Sequence, residues 1–440
     1  MPAPSRAGYR RHGSHRHLIR SPFGGRAVHY WRNLGPGLVT GASDNDPSGI
    51  GTYSIAGAST GYRLLWMAPF TLPLLVAVQS MAARIGAYKE EGLGQVIEER
   101  FGRKVLVGSV AVLLFVNIVT IAADLGGVAA GLHLLVPVPV GVVIPVIGAG
   151  LLAVEIFWSY RRFASVVKWL TLVLFLYIIS GFVAGPDWGQ VLRDTFLPHV
   201  TMSRDFLSSA VAVLGTTISP YMFFWICSQE VEEEEEEGPD PEDDPRSASL
   251  AERRRRTDVV TGMAYANLVF YFIILSSAAT LGAHGIKVQT AEQAARALGP
   301  VVGRFDTVLF AVGMVGAGLI AIPVLAGAVA FPLAELFNWR EGLNKSLRSA
   351  PGFYSALSAA VVMGVALNFF GVNPFKALLY AAVLQGLLAP ALLVLLTLVA
   401  SDRTVMGSHR NGWFDTTFGF LAAGVMAAAA VALIVVTFVG

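Results

Sequence analysis

Charge is scarce in this chain. Asp, Glu, Lys and Arg make up only 14% of its 440 residues, against 54% hydrophobic. A soluble domain could not cover its surface with so little charge, and a mean hydropathy of +0.60 points the same way. A single cysteine, Cys227, excludes a disulfide framework and a multi-cysteine metal cluster; its apolar setting predicts a buried, inert thiol. A formal net charge of +2 leaves no basic footprint for nucleic acid. No catalytic constellation, phosphate-binding loop or nucleotide motif is present, which argues against an enzyme and against ATP-driven transport. Nor does a cleavable signal head the chain. Residues 1–33 are basic and polar and read as a cytosolic tail, with the Arg10-Arg11-His12 to His15-Arg16-His17 tract as disordered rather than metal-binding.

What the chain does have is apolar runs. A bilayer core needs about 20 apolar residues per helix, and candidate spans fall near 34–58, 63–85, 105–133, 136–158, 164–184, 207–228, 257–282, 304–334, 352–370, 374–400 and 414–439. The expectation is an all-α membrane protein of eleven helices. With the N-terminus inside, the tail and alternate loops hold roughly 25 of the 32 Lys and Arg residues, so the positive-inside rule places the N-terminus in the cytoplasm and the C-terminus outside. The expected location is the bacterial cytoplasmic (inner) membrane. One loop, 229–256, carries an acidic tract from Glu232 to Glu237 and a basic one from Arg253 to Arg256. It reads as a solvated linker whose charge blocks neutralise each other, ahead of an acidic patch that gathers cations.

Two spans are interrupted. The first contains Ser43-Asp44-Asn45-Asp46-Pro47-Ser48-Gly49-Ile50-Gly51. An Asp at mid-membrane is costly unless it faces a cavity or a partner. Pro47 removes a backbone donor, and the glycines tolerate unwound backbone. The sixth span carries Gly215-Thr216-Thr217-Ile218-Ser219-Pro220-Tyr221, again small polar residues ahead of a proline. The breaks are five helices apart, so the two spans cross in opposite directions. That is the pattern of two inverted five-helix repeats, expected at 34–184 and 207–400 with the eleventh helix at 414–440 outside them, and such paired breaks point to a midplane binding site. Asp46 is a hard oxygen ligand, while the sixth-span break offers hydroxyls and carbonyls but no thioether or imidazole. Such a set suits Mg²⁺ or Mn²⁺ and gives no preference to softer metals.

Gly35-Pro36-Gly37, followed nine residues later by Asp46-Pro47-Ser48-Gly49, resembles the first helix of the Nramp divalent-metal transporters, where GPG precedes DPGN. Thr216-Thr217-Ile218-Ser219-Pro220-Tyr221-Met222 stands where that family has ATVMPHN. Ala123-Asp124-Leu125-Gly126-Gly127 resembles its ATDLAE stretch, and Thr397 through Ser401-Asp402-Arg403 to Met406-Gly407 the end of its tenth helix. The resemblance runs from about Leu34 to Gly440 and implies the LeuT fold. It also implies that Asp46 binds metal, that Gly49 replaces a ligating Asn, that Thr216 offers a backbone carbonyl and that Ser219 replaces a thioether. Tyr221 stands for a His, and Gly127 for a Glu, of a proton route that keeps Asp124. These losses together resemble the magnesium-transporting branch, which implies a wider site for largely hydrated Mg²⁺, tolerance of Mn²⁺ and no proton coupling. The physics agrees: shorter side chains at 49 and 219 should widen the cavity, and no group titrating near neutrality remains except Asp124.

Other intramembrane polar residues are weighed alongside. Asp44 lies about 200° round a continued helix from Asp46 and is either a vestibule acid or a water-facing spectator. Asp124 is expected to pair with backbone or polar side chains. Gln385 holds a metal-bound water or an interhelical hydrogen bond. Ser48, Thr217 and Tyr221 complete the expected lining. Glu155 and His133 are expected at exposed span ends. The functional expectation is an alternating-access, uniporter-like carrier of Mg²⁺ and Mn²⁺ needing no cofactor and no obligate protein partner, with the bilayer as its surroundings. Rivals are a proton-coupled Mn²⁺/Fe²⁺ importer, a channel or metal sensor, and an amino-acid carrier, whose substrate carboxylate Asp46 would repel.

Overall fold

In the computed structural model the described residues are 36–157, 174–237, 245–299 and 306–438. The N-terminal tail and residues 164–173 of the expected fifth span lie outside them. The helices are α1 Pro36–Ser43, α2 Pro47–Thr60, α3 Met67–Lys89, α4 Leu93–Phe101, α5 Arg103–His133, α6 Val140–Phe157, α7 Leu174–Val183 and α8 Trp188–Phe196. They continue with α9 Arg204–Thr217, α10 Pro220–Glu237, α11 Pro245–Thr280, α12 Ala291–Ala295, α13 Asp306–Phe337, α14 Pro351–Leu367, α15 Pro374–Ser401, α16 Arg403–Met406 and α17 Trp413–Phe438.

Among the described residues, nine helical stretches are long and apolar enough to cross a membrane, the continuous run through α9 and α10 counting as one. The first span is absent from that count because its break leaves halves of 8 and 14 residues. The fifth is represented only by α7. With those two the all-α architecture has the eleven spans that the sequence implies.

Both breaks follow from local chemistry. Pro47 sits at the first position of α2, where a missing N–H costs nothing, and Asp46 is the N-cap, accepting from Gly49 N at 2.5 Å. In the sixth span α9 ends at Thr217 and α10 restarts at Pro220. The Ser219 hydroxyl donates to the carbonyls of Gly215 and Thr216 at 2.8 and 2.9 Å, satisfying acceptors that the break strands.

The half-helices are held by long neighbours. α11 packs along α1 and α2, α15 along α9 and α2, and α5 against α13, α14 and α15. In lipid, where tails are as apolar as leucine, close approach and interhelical hydrogen bonds supply the association. Gly41 shows the close approach: a Cβ there would collide with the backbone of Gly262 on α11. An intact N-terminus for α1 comes from the same neighbour, since Gly37 N donates to Asp258 Oδ2 at 2.6 Å.

The charged segment departs from expectation. It is not a solvated linker: α10 runs on to Glu237 and α11 begins at Pro245, leaving only 238–244 outside the described residues. Arg255 pairs with Glu230 at 2.8 Å, Glu234 at 2.9 Å and Glu252 at 3.0 Å, and its side chain is only 11% exposed. Composition shows two charge blocks; the helices bring them face to face. Glu155 is also corrected. It is buried on α6 rather than exposed, whereas His133 is exposed as expected and sits 2.8 Å from the Val138 carbonyl.

Candidate metal site

The two breaks meet in the interior. Tyr221, the second residue of α10, donates its hydroxyl to the Ser43 carbonyl in the first break at 3.1 Å. Tyr53 on α2 lies 3.1 Å from Thr217 Oγ1 at the end of α9. Each half of the site is thus tied to the other by a tyrosine. Asp44, Asn45, Asp46, Ser48, Thr216, Thr217, Ser219 and Tyr221 are all inaccessible to solvent.

At the centre is Asp46. Its Oδ1 is occupied by the Gly49 N–H, while Oδ2 has no hydrogen-bond partner although fully buried. The side chains of Tyr221 and Thr216 flank the carboxylate. Asp44 does not lie on a continued helix, because the chain is non-helical there; the 200° offset therefore does not apply. It is not a water-facing spectator either. It is buried, with neither carboxylate oxygen partnered. Asn45 is likewise unpartnered, and so is Thr216 Oγ1.

Buried polar atoms are nearly always satisfied, and each exception needs a physical cause. Among the described residues several such orphans, mostly oxygens and including both Asp44 oxygens and Asp46 Oδ2, meet at the breaks. Among the described residues no three His, Cys, Asp or Glu side chains converge in metal-ligand geometry. A cation at Asp46 would have to draw on carbonyls, hydroxyls and water. The Thr216 carbonyl accepts from Ser219 and keeps one lone pair, since a carbonyl oxygen carries two.

Asp124 on α5 reaches the same break. Its Oδ1 accepts from Ser48 N at 2.9 Å and Ser48 Oγ at 2.5 Å, so it caps α2 from a neighbouring helix; Oδ2 is unpartnered. Gln385 stands apart in a second polar group: its amide donates to Thr120 Oγ1 at 3.0 Å, and its Oε1 and both Asn117 side-chain atoms lack partners. Sequence reasoning missed Tyr53, because a tyrosine in an apolar span reads as core.

Two positions bear on shape. A Cβ at Gly49 would sit 3.2 Å from Asp44 O, Asp46 Oδ1 and Tyr53 Cε2, so the space beside it is filled, not widened. At Gly127 a Cβ would meet Met314, Leu378 and Pro47 at 3.0, 3.1 and 3.2 Å. Apolar atoms fill the place of a longer side chain there.

Two interrupted helices facing each other within a ten-helix inverted repeat define a LeuT-fold membrane protein. The chain belongs to the family described as natural resistance-associated macrophage protein-like, which it matches over residues 37–436. It is 27% identical over 412 residues to the divalent metal cation transporter MntH of Bacillus subtilis, covering 92% of each chain. The same-named protein of Mycobacterium tuberculosis is 27% identical over 416 residues, covering 93% of this chain and 92% of that one. Among solved structures, a manganese transporter of Eremococcus coleocola superposes with a TM-score of 0.71 at 20% identity, over 96% of this chain and 90% of that one. Mhp1, a nucleobase-cation-symport-1 family transporter, gives 0.52 at 15% identity, over 92% and 94%. These likenesses establish the fold.

Proposed function

We propose that the chain carries Mg²⁺, and Mn²⁺ less selectively, through the Asp46 site by alternating access, without moving a proton. The observation that carries this reading is the free, fully buried Asp46 Oδ2 set among unpartnered oxygen donors between two half-helices. The names of the relatives, a divalent metal cation transporter and a manganese transporter, support the divalent class. The donor set supports the magnesium end of it. Asp46, the Thr216 carbonyl and hydroxyl, and Ser219 are hard oxygens, and no thioether or imidazole stands at 49, 219 or 221. With few charged ligands, such a site suits an ion that keeps several waters. Ser48, Thr217 and Tyr221 would shape the lining, Asp44 would add negative potential, and Gln385 would contact a metal-bound water in another conformation.

The uncoupled part rests on two side chains. Tyr221 replaces an imidazole and is held on the Ser43 carbonyl. Gly127 offers no carboxylate, and its surroundings are apolar. Electrical potential would drive entry, at about 2.3 kcal/mol per charge per 100 mV. The lysine and arginine distribution supports a cytoplasmic N-terminus and an extracytoplasmic C-terminus.

Proteoliposomes containing a Mg²⁺-sensitive dye and a separate pH dye test this directly. Saturable Mg²⁺ uptake at constant internal pH is expected. Acidification tracking metal entry would overturn the uncoupled mechanism in favour of a proton-coupled manganese importer, and binding without uptake would point to a sensor.

A further inference from the structure

At the membrane end where α2, α7 and α11 terminate lies a cavity of about 760 Å³, within the roughly 300–1,000 Å³ of small-ligand pockets. Its lining begins at Ala58, at the opposite end of α2 from the Asp46 break, and it takes no part in the transport reading. Its lining carries charge of both signs: Arg63 from the turn after α2, and Asp187, Gln190, Arg193, Asp194 and His199 from α8 and its flanks. Among the described residues the sole ion pair in this lining is the long one between His199 Nδ1 and Asp194 Oδ1, at 4.0 Å. Among those same residues the two guanidinium groups have no carboxylate within ion-pair reach. Asp187 uses Oδ1 to cap α8 through Gly189 N and Gln190 N.

The wall of the cavity is an interfacial helix. On α8, Trp188, Leu192 and Phe196 recur at i, i+4 and i+8 and are 41%, 57% and 70% exposed. Leu197, Val200 and Met202 extend the exposed apolar strip. The opposite face is docked: Val191 is buried, and Thr195 Oγ1 lies 3.0 Å from Tyr271 OH on α11. An amphipathic helix with an apolar face toward tails and charge beside it belongs in the plane of the membrane interface. The neighbouring rings mark the same level, with Phe182–Trp188 and Trp66–Phe70 centroids at 5.3 and 5.7 Å.

A ligand for this place must fit positive and negative groups at once, and must continue into an apolar tail. We propose that the cavity binds the headgroup of a phospholipid bearing a primary amine, its phosphate on Arg63 and Arg193, its ammonium on Asp187 and Asp194, and its acyl chains along Trp188, Leu192 and Phe196. Guanidinium groups match phosphate oxygens with paired N–H donors. A primary ammonium supplies three N–H donors to carboxylates, which a trimethylated amine lacks. A glycerol headgroup would satisfy the arginines but offer the aspartates neutral hydroxyls in place of a cation.

The test is lipid retention by the delipidated, detergent-purified full chain, measured by native mass spectrometry after adding back phosphatidylethanolamine, phosphatidylcholine or phosphatidylglycerol with identical acyl chains. Phosphatidylethanolamine is expected to be retained about tenfold over the other two, the effect of one or two charge-assisted hydrogen bonds. Arg63→Gln with Arg193→Gln should abolish retention of all three. Asp187→Asn with Asp194→Asn should keep phospholipid bound but bring the ethanolamine-to-choline ratio close to one. Equal retention of the three lipids by the unmodified protein, which needs no variant to fold, would overturn the proposal. So would preference for phosphatidylglycerol, or arginine variants that retain phosphatidylethanolamine normally.

Discussion

Buried carboxylates cluster at the ends of α10 and α11 and at the breaks, and the two clusters differ in whether arginine meets them. Around the ends of α10 and α11 most acids meet an arginine or a backbone N–H, although Glu335 Oε1 and Glu341 Oε2 stay unpartnered. Glu230, 4% exposed, takes Arg255, Asp415 takes Arg84 at 2.8 Å, Glu232 takes the Leu343 N–H, and Glu335 takes the Gln95 N–H at 3.0 Å. At the breaks, Asp44 has no partner, and Asp46 and Asp124 each keep one oxygen free. Both regions are buried, so desolvation penalises both; only the first holds arginines that offset part of it. Among the described residues no lysine or arginine pairs with the acids at the breaks, which supports the proposed metal site there.

The largest way to break the comparison is at Asp46. Asp46→Ala should reduce Mg²⁺ uptake in proteoliposomes to that of protein-free vesicles. Thermal unfolding in metal-free detergent should move little, because loss of the α2 N-cap, about 1 kcal/mol, opposes the removal of a carboxylate that no cation compensates. Normal uptake by this variant would remove the site. The matching change in the other region should do the reverse. Arg255→Met leaves Glu230 buried and unpaired, at a cost of about 3–5 kcal/mol. Adding Glu230→Leu should recover most of that loss, read as the interaction energy of a double-mutant cycle in detergent unfolding.

The same contrast separates what is legible in the sequence from what is not. The breaks are legible because their causes are local: Pro47 and Pro220 end hydrogen-bond ladders within their own spans, and inverted pairing follows from counting helices. Asp46 is legible because a carboxylate at that depth is too costly to keep unless it meets a cation or a polar cavity. The ion-pair region is not, because Arg255 meets Glu230 only after the chain turns back across 25 residues. Composition cannot tell a neutralised linker from two helices docked through their charges. Asp44 is misplaced by extending a helix through residues that are not helical. The expected widening at Gly49 fails for a non-local reason: Tyr53 and the backbone of Asp44 fill the space a shorter residue leaves.

That packing sharpens a selectivity prediction. Gly49→Asn with Ser219→Met adds an amide and a thioether to a hard-oxygen set. The ratio of Mn²⁺ to Mg²⁺ uptake should rise about tenfold, since soft donors favour transition metals. Because Asp44 O, Asp46 Oδ1 and Tyr53 Cε2 surround position 49 at 3.2 Å, Gly49→Asn alone should lower maximal uptake of both ions before it changes their ratio. An unchanged ratio in the double variant, with uptake preserved, would mean that these positions do not set selectivity.

The smallest effect separates the regions with identical chemistry. Tyr221 donates to the Ser43 carbonyl at 3.1 Å within the breaks, and Tyr354 donates to the Lys345 carbonyl at 2.8 Å beside the ion-pair region. Replacing either by Phe deletes one neutral hydrogen bond, worth about 1 kcal/mol. The bond of Tyr221 joins α10 to the end of α1, and under the proposed alternating access it would break and reform in each cycle. Tyr221→Phe should therefore change maximal uptake rate about fivefold with little change in half-saturating Mg²⁺. Tyr354→Phe should lower unfolding stability by about 1 kcal/mol and leave uptake kinetics alone. If the two variants exchanged these signatures, the moving contacts would lie at the ion-pair region and the breaks would be the static part. Stability and rate measured on the same pair of preparations decide between the two arrangements.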